Sequence, residues 1–589
     1  MHGGRSFLSV ASPEATTLWW AGLGRSGGVD ESLRPCSLFR PADPDQLFRA
    51  GGLIRRDGQV DVEGLDRMLR RLTLLINARS FQPPSTEEKS NPLMPSGYTY
   101  FLQFIAHDLV DSVLPPQAAQ AVLRACVRNG RTRALVLDTL YGSGPDEYPH
   151  AYEYSAGPNQ ITIKLPRTRL RVGASSPVGP DRTVFCPMRD IARSFAPTGM
   201  PGEHRLCEAL VADVRNDANT FVAQITVLFQ LLHNYVLSLL NWPAPPMTDP
   251  AEDAFKRYLC ARLIVTLIYR NIIDRDVLEK ILDCRVLNRY RSENSRPLLD
   301  GGKGVPVEFS YGAFRFGHAM VRKKYHVASE EELEALKALQ LSSASRPVDL
   351  PLPDKWLVDW ARFFAIPAPP EMTRNFSHPI SPHYSLALRS DNFPPIQNRP
   401  GTEGLAYRDL LSGSYAGTLS VPALCQKLQS VFGANLVPSF EQWRPRLRDW
   451  LTKDTNGALV EKLEPDEIER LIEDPPLVFF VMLEAECQMK NGQNTSQKSE
   501  PGEHLGPIGS IIVAETIFGA MIANPIVAEN AGSLQARMIA CAERLFPTNR
   551  TEAREAVAKI DDVASMPDLL SYLQRKRIFA ASPPDRRTE

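Results

Sequence analysis

The sequence predicts a mainly α protein, built around a large helical domain with few short strands. Apolar residues recur at helical spacing through several long segments, no series of alternating strand patterns is present, and 49 prolines separate the apolar segments. A length of 589 residues exceeds one ordinary core. We therefore divide the chain into an N-terminal arm and helix over residues 1–80, a main domain over 81–546, and a helical tail over 547–589.

The first half of the chain contains the longest helical patterns. Residues 62–78 place leucines on one face, and residues 98–112 form a mostly apolar helix. Residues 213–242 begin with polar side chains and continue as an apolar helix, and a further long helix is expected over residues 253–281. Between them we predict a helix over residues 115–127, a loop over 135–148 and a short strand over 160–165.

The second half alternates apolar segments with proline-rich or charged ones. Residues 308–321 are apolar and aromatic, and residues 367–400 form a long loop rich in proline. The remaining predictions are helices within residues 330–364, a segment of small residues over 407–420, charged helices over 440–475, buried segments over 475–487 and 508–523, and a polar insert over 490–503.

Composition excludes several classes of function. Lys and Arg number 67 against 68 Asp and Glu, so no excess charge favours nucleic acid or an anionic membrane surface. Nine scattered cysteines without a C-x-x-C pair indicate reduced thiols, and the N-terminal residues lack a signal pattern, so we expect a cytoplasmic protein. Residues 218–242 carry no charged residue, yet polar groups surround the helix, which favours a protein core over a membrane span.

The helix over residues 98–112 carries an unusual polar pair. Gln103 and His107 lie four residues apart and therefore share one helix face, while most other positions are apolar. Burial of such groups is costly unless they find partners. One interpretation is a hydrogen-bonded core histidine, and the other is a functional site.

His107 and His318 are both embedded in strongly apolar segments. An imidazole in a pocket that excludes water is a natural axial ligand for haem iron, and a second histidine could act as a general base. Arg215 opens a buried helix and could offer a fixed positive charge. Haem leaves no ligand spacing in a sequence, so the residues alone favour the alternative, an all-helical scaffold whose buried polar groups bond to one another.

Five segments, in the correct order over about residues 95–525, resemble those of the animal-type haem peroxidases (the peroxidase–cyclooxygenase superfamily), in its bacterial-like branch. They are YTYFLQFIAHDL, ADVRNDANTFVAQITVLFQLLHN, FSYGAFRFGHAMV, YRDLLSGSYAG and GEHLGPIGSIIVAETIFGAMIANP. The resemblance implies one helical domain with haem between its core helices. It also implies six roles: His107 as distal base, Gln103 as a distal hydrogen-bonding group, Arg215 as catalytic arginine, His318 as iron ligand, Asp409 as its hydrogen-bond acceptor, and Arg315 as partner of a haem propionate.

Departures from the family pattern are informative. Ala106 and Ala218 stand where the family has the carboxylates that form haem esters, so the resemblance implies haem b held without covalent bonds. Asp409 replaces the usual Asn, and a carboxylate acceptor should favour the ferric state. Asp108 matches a calcium ligand that Asp138 and Thr139 could complete, although a structural role for Asp108, bonded to backbone amides, is equally compatible with the sequence.

The resemblance implies a peroxidase that reduces hydrogen peroxide and oxidises a small organic or halide donor through a ferryl intermediate. A fatty-acid dioxygenase of the same superfamily is the first alternative. Those enzymes use a tyrosine close before the proximal histidine; here Arg315 lies three residues before His318, and Tyr311 lies seven residues before it. A haem-binding scaffold that has lost activity is the second alternative.

Overall fold

The structure is a computed structural model. The residues that it describes are 38–39, 46–55, 60–79, 89–113, 128–131, 133–153, 167–174, 185–195, 207–246, 248–299, 304–343, 349–389, 404–453, 462–487, 500–526 and 532–579. The helix predicted over residues 115–127, the strand over 160–165, and most of the arm, the polar insert and the end of the tail lie outside these residues.

Helices dominate the described chain, which confirms the predicted mainly α class. In chain order they are α1 Val62–Arg79, α2 Gly97–Leu109, α3 Asp138–Tyr141, α4 Thr220–Leu239, α5 Pro250–Ile272, α6 Leu278–Ile281, α7 Cys284–Ser292, α8 Val307–Ser310, α9 Ala335–Gln340, α10 Leu405–Tyr415, α11 Val421–Phe432, α12 Arg444–Thr452, α13 Pro465–Glu473, α14 Leu477–Glu486, α15 Pro507–Ala523, α16 Leu534–Leu545, α17 Arg550–Val557 and α18 Met566–Arg575. Short 3-10 helices connect several of them.

Strands in the described residues are short and form three antiparallel pairs. β1 Ser112–Val113 pairs with β2 Arg128–Asn129, β3 Arg193–Phe195 with β4 Cys207–Ala209, and β5 Lys324–His326 with β6 Glu332–Glu334. Each pair closes a connection between helices and none forms a larger sheet.

The centre of the core is an aromatic cluster on α2, α4 and α5. Phe101 and Phe104 of α2 lie nearly parallel to Phe229 of α4, with ring centroids 5.9 and 5.3 Å away. Tyr269 of α5 meets the Phe104 and Phe229 rings edge-on at 6.1 and 5.7 Å. Such pairs fix the three helices against one another. This packing explains why the apolar positions of residues 98–112 are buried.

Helix α4 is the core helix that the sequence predicts over residues 213–242, although it begins later, after a 3-10 turn at Val214–Asp217. Among the described helices it alone is long and apolar enough to cross a membrane, and 72% of its most apolar window is buried in the protein. Its polar side chains bond to neighbouring backbone, as Gln224 does to Arg189 and Asn234 to Leu170. A helix that is mostly buried in the protein core is weak evidence for a membrane span.

The same hydrophobic core includes side chains from both ends of the described chain. Leu65 and Leu72 of α1 and Leu569 and Leu573 of α18 are fully buried in it. The division of the chain at residues 80 and 546 remains a prediction from the sequence.

Candidate active site

Helix α2 carries the first half of the site. Its start is anchored where the Gly97 amide donates to the Phe363 carbonyl at 2.8 Å. Eleven of its thirteen residues are buried, whereas Gln103 and Ala106, one turn apart, are partly exposed. These two positions therefore border an opening on one side of an otherwise enclosed helix.

His107 is held by an amide that the sequence did not point to. Its Nδ1 lies 3.0 Å from Oδ1 of Asn216, and Nδ2 of the same Asn216 donates to the Thr139 carbonyl at 3.0 Å. The Thr139 hydroxyl also donates to Asn216 Oδ1, at 3.2 Å. Because the amide nitrogen is engaged with Thr139, the atom that faces His107 is an acceptor. This network assigns the proton to Nδ1 and the lone pair to Nε2.

The surroundings of His107 keep it neutral. Burial, with a further contribution from the charge of Arg215, lowers the pKa of His107 to about 3. A neutral imidazole with its lone pair on Nε2 is able to accept a proton, which is the property that a general base requires.

Arg215 lies beside His107 but its guanidinium faces the backbone. Its Nη2 donates to the His107 carbonyl at 2.8 Å and Nη1 to the Val110 carbonyl, while Asp213 accepts from Nε and Nη2 at 3.0 and 2.6 Å. Arg131 makes a second bond to the His107 carbonyl, at 2.9 Å, and also pairs with Asp213. Arg215, to which the resemblance assigns a catalytic role, therefore stabilises the C-terminal end of α2.

Gln103 is oriented by the helix cap of α4. Asn219 accepts from the Val222 amide as N-cap and donates through Nδ2 to Gln103 Oε1 at 3.0 Å. The amide group of Gln103 is then the part that can donate to a ligand. Ala218, directly before the cap, is partly exposed like Ala106.

His318 ends the 3-10 helix Ala313–His318, which packs against α2. Its Nδ1 lies 2.6 Å from Oδ2 of Asp409 on α10, and the Tyr384 hydroxyl donates to that same oxygen at 3.0 Å. Arg315 Nη1 lies 3.3 Å from Oδ1. Burial acts to raise the pKa of Asp409, but His318 and Arg315 outweigh it and the net shift is downward. Asp409 is therefore a buried carboxylate that fixes the ring of His318.

The structure gives Arg315 a different environment from the implied propionate contact. Its Nε donates to the Ser310 carbonyl at 2.9 Å and Nη1 approaches Asp409. The first contact lies within the segment that carries His318, and the second reaches α10. Arg315 thus supports Asp409, and so acts on His318 through that carboxylate.

The space beside His318 fits a haem. Phe314, Arg315, Gly317 and His318 are partly exposed although they lie among buried segments, and a Cβ added at Gly317 would meet no atom within 4 Å. His318 presents an imidazole whose Nδ1 is engaged, so Nε2 is the nitrogen that can bind iron. Gln103 and Ala106 on α2, and Ala218 before α4, are partly exposed as well. Both alanines lack a group that could form an ester.

The residues proposed for calcium do not fit that ion. Asp108 accepts the Leu137 and Thr139 amides at 3.0 and 3.2 Å, which is the structural role that the sequence left open. Asp138 pairs with Arg133 at 2.9 Å and Arg262 at 2.6 Å, so guanidinium groups lie where a cation would bind. Within the described residues no group of three or more His, Cys, Asp or Glu side chains could hold a metal ion. Calcium binding stays a prediction from the sequence, which the contacts of Asp108 and Asp138 do not support.

Three residues of the site were missed by sequence reasoning. They are Asn216, which contacts His107, Arg131, which pairs with Asp213, and Tyr384, which donates to Asp409. The partners are separated by 109, 82 and 25 residues along the chain. The polar cluster over residues 213–217 marked the place of Asn216 and Asp213. No spacing rule connects them to their partners.

Residues 169–384 match the family model for the animal haem peroxidase. This range contains Arg215, Arg315 and His318, whereas Gln103, His107 and Asp409 lie outside it. The match confirms an animal haem peroxidase domain over these residues, in agreement with the resemblance of the sequence segments. No curated protein matches the chain significantly.

Solved structures are similar to this chain at low identity. A variant of the fatty acid alpha-dioxygenase from Oryza sativa, solved with palmitic acid, is 11% identical, covers 96% of this chain and 89% of its own, and has a TM-score of 0.51. Peroxidase A from Dictyostelium discoideum is 13% identical over 85% and 88% of the two chains, with a TM-score of 0.45. The Arabidopsis thaliana fatty acid alpha-dioxygenase is 12% identical over 93% and 84%, with a TM-score of 0.47. The similarity to the Oryza sativa enzyme shows the fold alone.

Proposed function

Because this chain carries an animal haem peroxidase domain, we propose that it is a haem-dependent peroxidase. It reduces hydrogen peroxide and recovers by taking electrons from a small organic donor. The observation that carries this proposal is the difference between the two histidines. His107 is kept neutral with its lone pair on Nε2, and His318 is held by a buried carboxylate as a metal ligand is.

Haem bound to His318 would supply the iron that holds peroxide and the electrons that break the O–O bond. The protein's own part is proton transfer and positioning. His107 accepts a proton from peroxide at Nε2 and returns it to the departing oxygen, so that water is the product. Asn216 maintains the tautomer that this exchange requires, and the Gln103 amide donates to a distal ligand.

Arg215 contributes as a positioning residue in this scheme. Together with Arg131 it holds the carbonyl of His107, and Asp213 joins the two guanidinium groups. Asp213 is buried between them, and although burial acts to raise its pKa, the two arginines lower it well below the usual range. The end of α2 is thus fixed by charge-assisted bonds, which keeps His107 in place.

The proposal is tested with purified, haem-loaded protein. Peroxide-dependent oxidation of guaiacol should be readily measured, and His107→Gln should slow the reaction with peroxide by roughly 10²- to 10⁴-fold while the Soret band is retained. His150→Gln is the matched control, because His150 is exposed. A wild-type rate in His107→Gln, or protein without a Soret band after expression with a haem supply, would exclude the proposed mechanism.

A fatty-acid dioxygenase is the alternative activity. Tyr311 is buried, and Arg315 occupies the position three residues before His318. Oxygen uptake with linoleate or palmitate, without added peroxide, distinguishes this activity from a peroxidase. If protein with a normal Soret band shows neither guaiacol oxidation nor oxygen uptake, the remaining interpretation is a haem-binding scaffold without activity.

We further propose a cytoplasmic location for the protein. The nine cysteines are scattered along the sequence without a C-x-x-C pair, a pattern that supports a reducing compartment. Fractionation of the native cells with an antibody against this protein tests the location.

A further inference from the structure

Tyr384 has a contact that the proposed reaction does not use. Its hydroxyl donates at 3.0 Å to Asp409 Oδ2, the same oxygen that lies 2.6 Å from His318 Nδ1. One carboxylate oxygen therefore joins a phenol to the imidazole proposed as iron ligand. Both Tyr384 and Asp409 are buried, at 3% and 1% exposure, so water does not separate them.

The chemistry of this arrangement is specific. A phenol is one of the side chains most easily oxidised by one electron, and its hydroxyl becomes strongly acidic as the electron leaves. Oxidation of a buried tyrosine therefore needs a proton acceptor in place. Asp409 is such an acceptor, because it is a carboxylate that already receives the hydrogen bond of Tyr384.

We propose that Tyr384 is a redox-active tyrosine that is oxidised through Asp409. This inference rests on the proposed function, since the oxidant is haem that peroxide has oxidised. In the step, Tyr384 gives one electron to the haem, its O–H bond breaks, the proton binds to Asp409, and a neutral phenoxyl radical remains. A one-electron donor then reduces the radical, and Asp409 returns the proton to the phenol oxygen.

Other buried tyrosines show that the hydrogen bond alone does not define this role. Tyr290 is fully buried and donates to Glu515 Oε1 at 2.6 Å, and Tyr98 donates to Asp276 at 2.8 Å. Glu515 accepts from the Leu298 and Leu299 amides, and Asp276 accepts from the Met566 amide and pairs with Lys280. Tyr384 differs because its acceptor is shared with His318. Tyr384 also differs in position from the tyrosine of the fatty-acid dioxygenases, which lies close before the proximal histidine; this chain has Arg315 there.

The test is electron paramagnetic resonance of the haem-loaded protein, frozen shortly after addition of hydrogen peroxide. Wild type should give an organic radical whose splitting changes when the protein is grown with ring-deuterated tyrosine. Tyr384→Phe should lose that signal while the Soret band still shifts with peroxide. Tyr290→Phe, the matched control, should keep it.

Asp409→Asn provides a second arm, because an amide keeps an acceptor oxygen for Tyr384 but does not take up the proton. Its tyrosyl signal should be lost although the Soret band still shifts. A tyrosyl signal that survives in Tyr384→Phe, or no tyrosyl signal in wild type whose Soret band shifts, overturns the role of Tyr384 and leaves the peroxidase proposal standing. A Soret band that does not respond to peroxide in wild type overturns both.

Discussion

His107 combines two features that act on one imidazole. Burial and the neighbouring Arg215 lower its pKa to about 3, and Asn216 accepts the hydrogen of Nδ1. An ordinary histidine takes up a proton near pH 6.5. The folded and unfolded proteins therefore differ in the proton that His107 carries throughout the range between these two values.

This difference predicts how acid affects stability. The folded-state pKa of His107 lies below the unfolded value, so the unfolded state binds the extra proton. The contribution of His107 is fully present above about pH 6.5 and is lost as the pH falls towards 3, by at most about 1.4 kcal/mol per pH unit. His107→Gln removes this loss. Urea unfolding of both proteins between pH 7 and 4 should show the variant gaining stability relative to wild type as the pH is lowered.

His150→Gln serves as the control for that series, because an exposed side chain carries no comparable burial. Its stability should follow wild type at every pH. Parallel curves for wild type and His107→Gln would show that His107 takes up its proton equally in the folded and unfolded proteins, and would contradict the lowered pKa.

Sequence reasoning reached the central side chains of the site but not their supports. His107 and His318 were recognisable because each lies in a strongly apolar segment. The direction of each ring is set by Asn216 and Asp409, which lie 109 and 91 residues away along the chain. Only the resemblance pointed to Asp409. The polar cluster over residues 213–217 contained Asn216 but did not indicate its partner, and nothing in the sequence pointed to Tyr384.

At the scale of elements, the start of α2 determines where the distal side chains lie. A Cβ at Gly97 would come within 2.5 Å of the Phe363 carbonyl oxygen and the Phe364 ring. A backbone oxygen cannot rotate away as a flexible side chain does. Gly97→Ala should therefore destabilise the protein by about 1–3 kcal/mol and weaken haem binding, because α2 must shift. Urea unfolding and haem titration measure the two effects.

Gly519 in α15 is the matched glycine for that experiment. A Cβ there would make an ordinary contact with Pro297 at 3.6 Å. Gly519→Ala should leave stability unchanged or raise it by up to about 1 kcal/mol through helix propensity. Equal stabilities for the two alanine variants would contradict the steric account of Gly97.

Ion pairs and hydrogen bonds of side chains stabilise the short helix α3. Asp138 pairs with Arg133 and Arg262 in a buried setting, and Asp108 caps the backbone before α3. Asp138→Asn should cost about 3–5 kcal/mol, because it leaves buried guanidinium charge without its carboxylate. Glu469→Gln, which removes an exposed ion pair with Arg448, should cost within about 1 kcal/mol. Differential scanning calorimetry compares the two.

The same arrangement predicts that chelators have no effect. Thermal unfolding of wild type should be unchanged by EDTA or by added calcium, because arginines neutralise Asp138. A fall in melting temperature with EDTA that calcium reverses would show that an ion binds this region after all.

At the scale of the whole molecule, the sequence predicted the class of fold because helical periodicity is a local property. The helices predicted over residues 62–78 and 253–281 are present as α1 and as α5 to α6, and the predicted buried segment over 508–523 forms α15. The sequence did not predict that α1 and α18 pack into the same core, because burial of Leu65 or Leu569 depends on distant segments. The site likewise depends on long-range packing, which brings residues near 107, 216, 318 and 409 together.

Because the residues of the site come from distant segments, we expect bound haem to stabilise the fold as a whole. The proposed haem contacts lie on α2, on the 3-10 helix Ala313–His318 and beside α10, so bound haem links segments separated by about 300 positions. Ala106 and Ala218 offer no ester bond, so acid acetone should extract all haem.

The melting temperature of the apoprotein should then rise with added haem, with about 2.7 kcal/mol of stabilisation at a hundredfold excess over Kd. His318→Ala should lose most of this rise. Haem that resists extraction would show a covalent bond, and a melting temperature independent of haem would show that the folded protein does not bind haem.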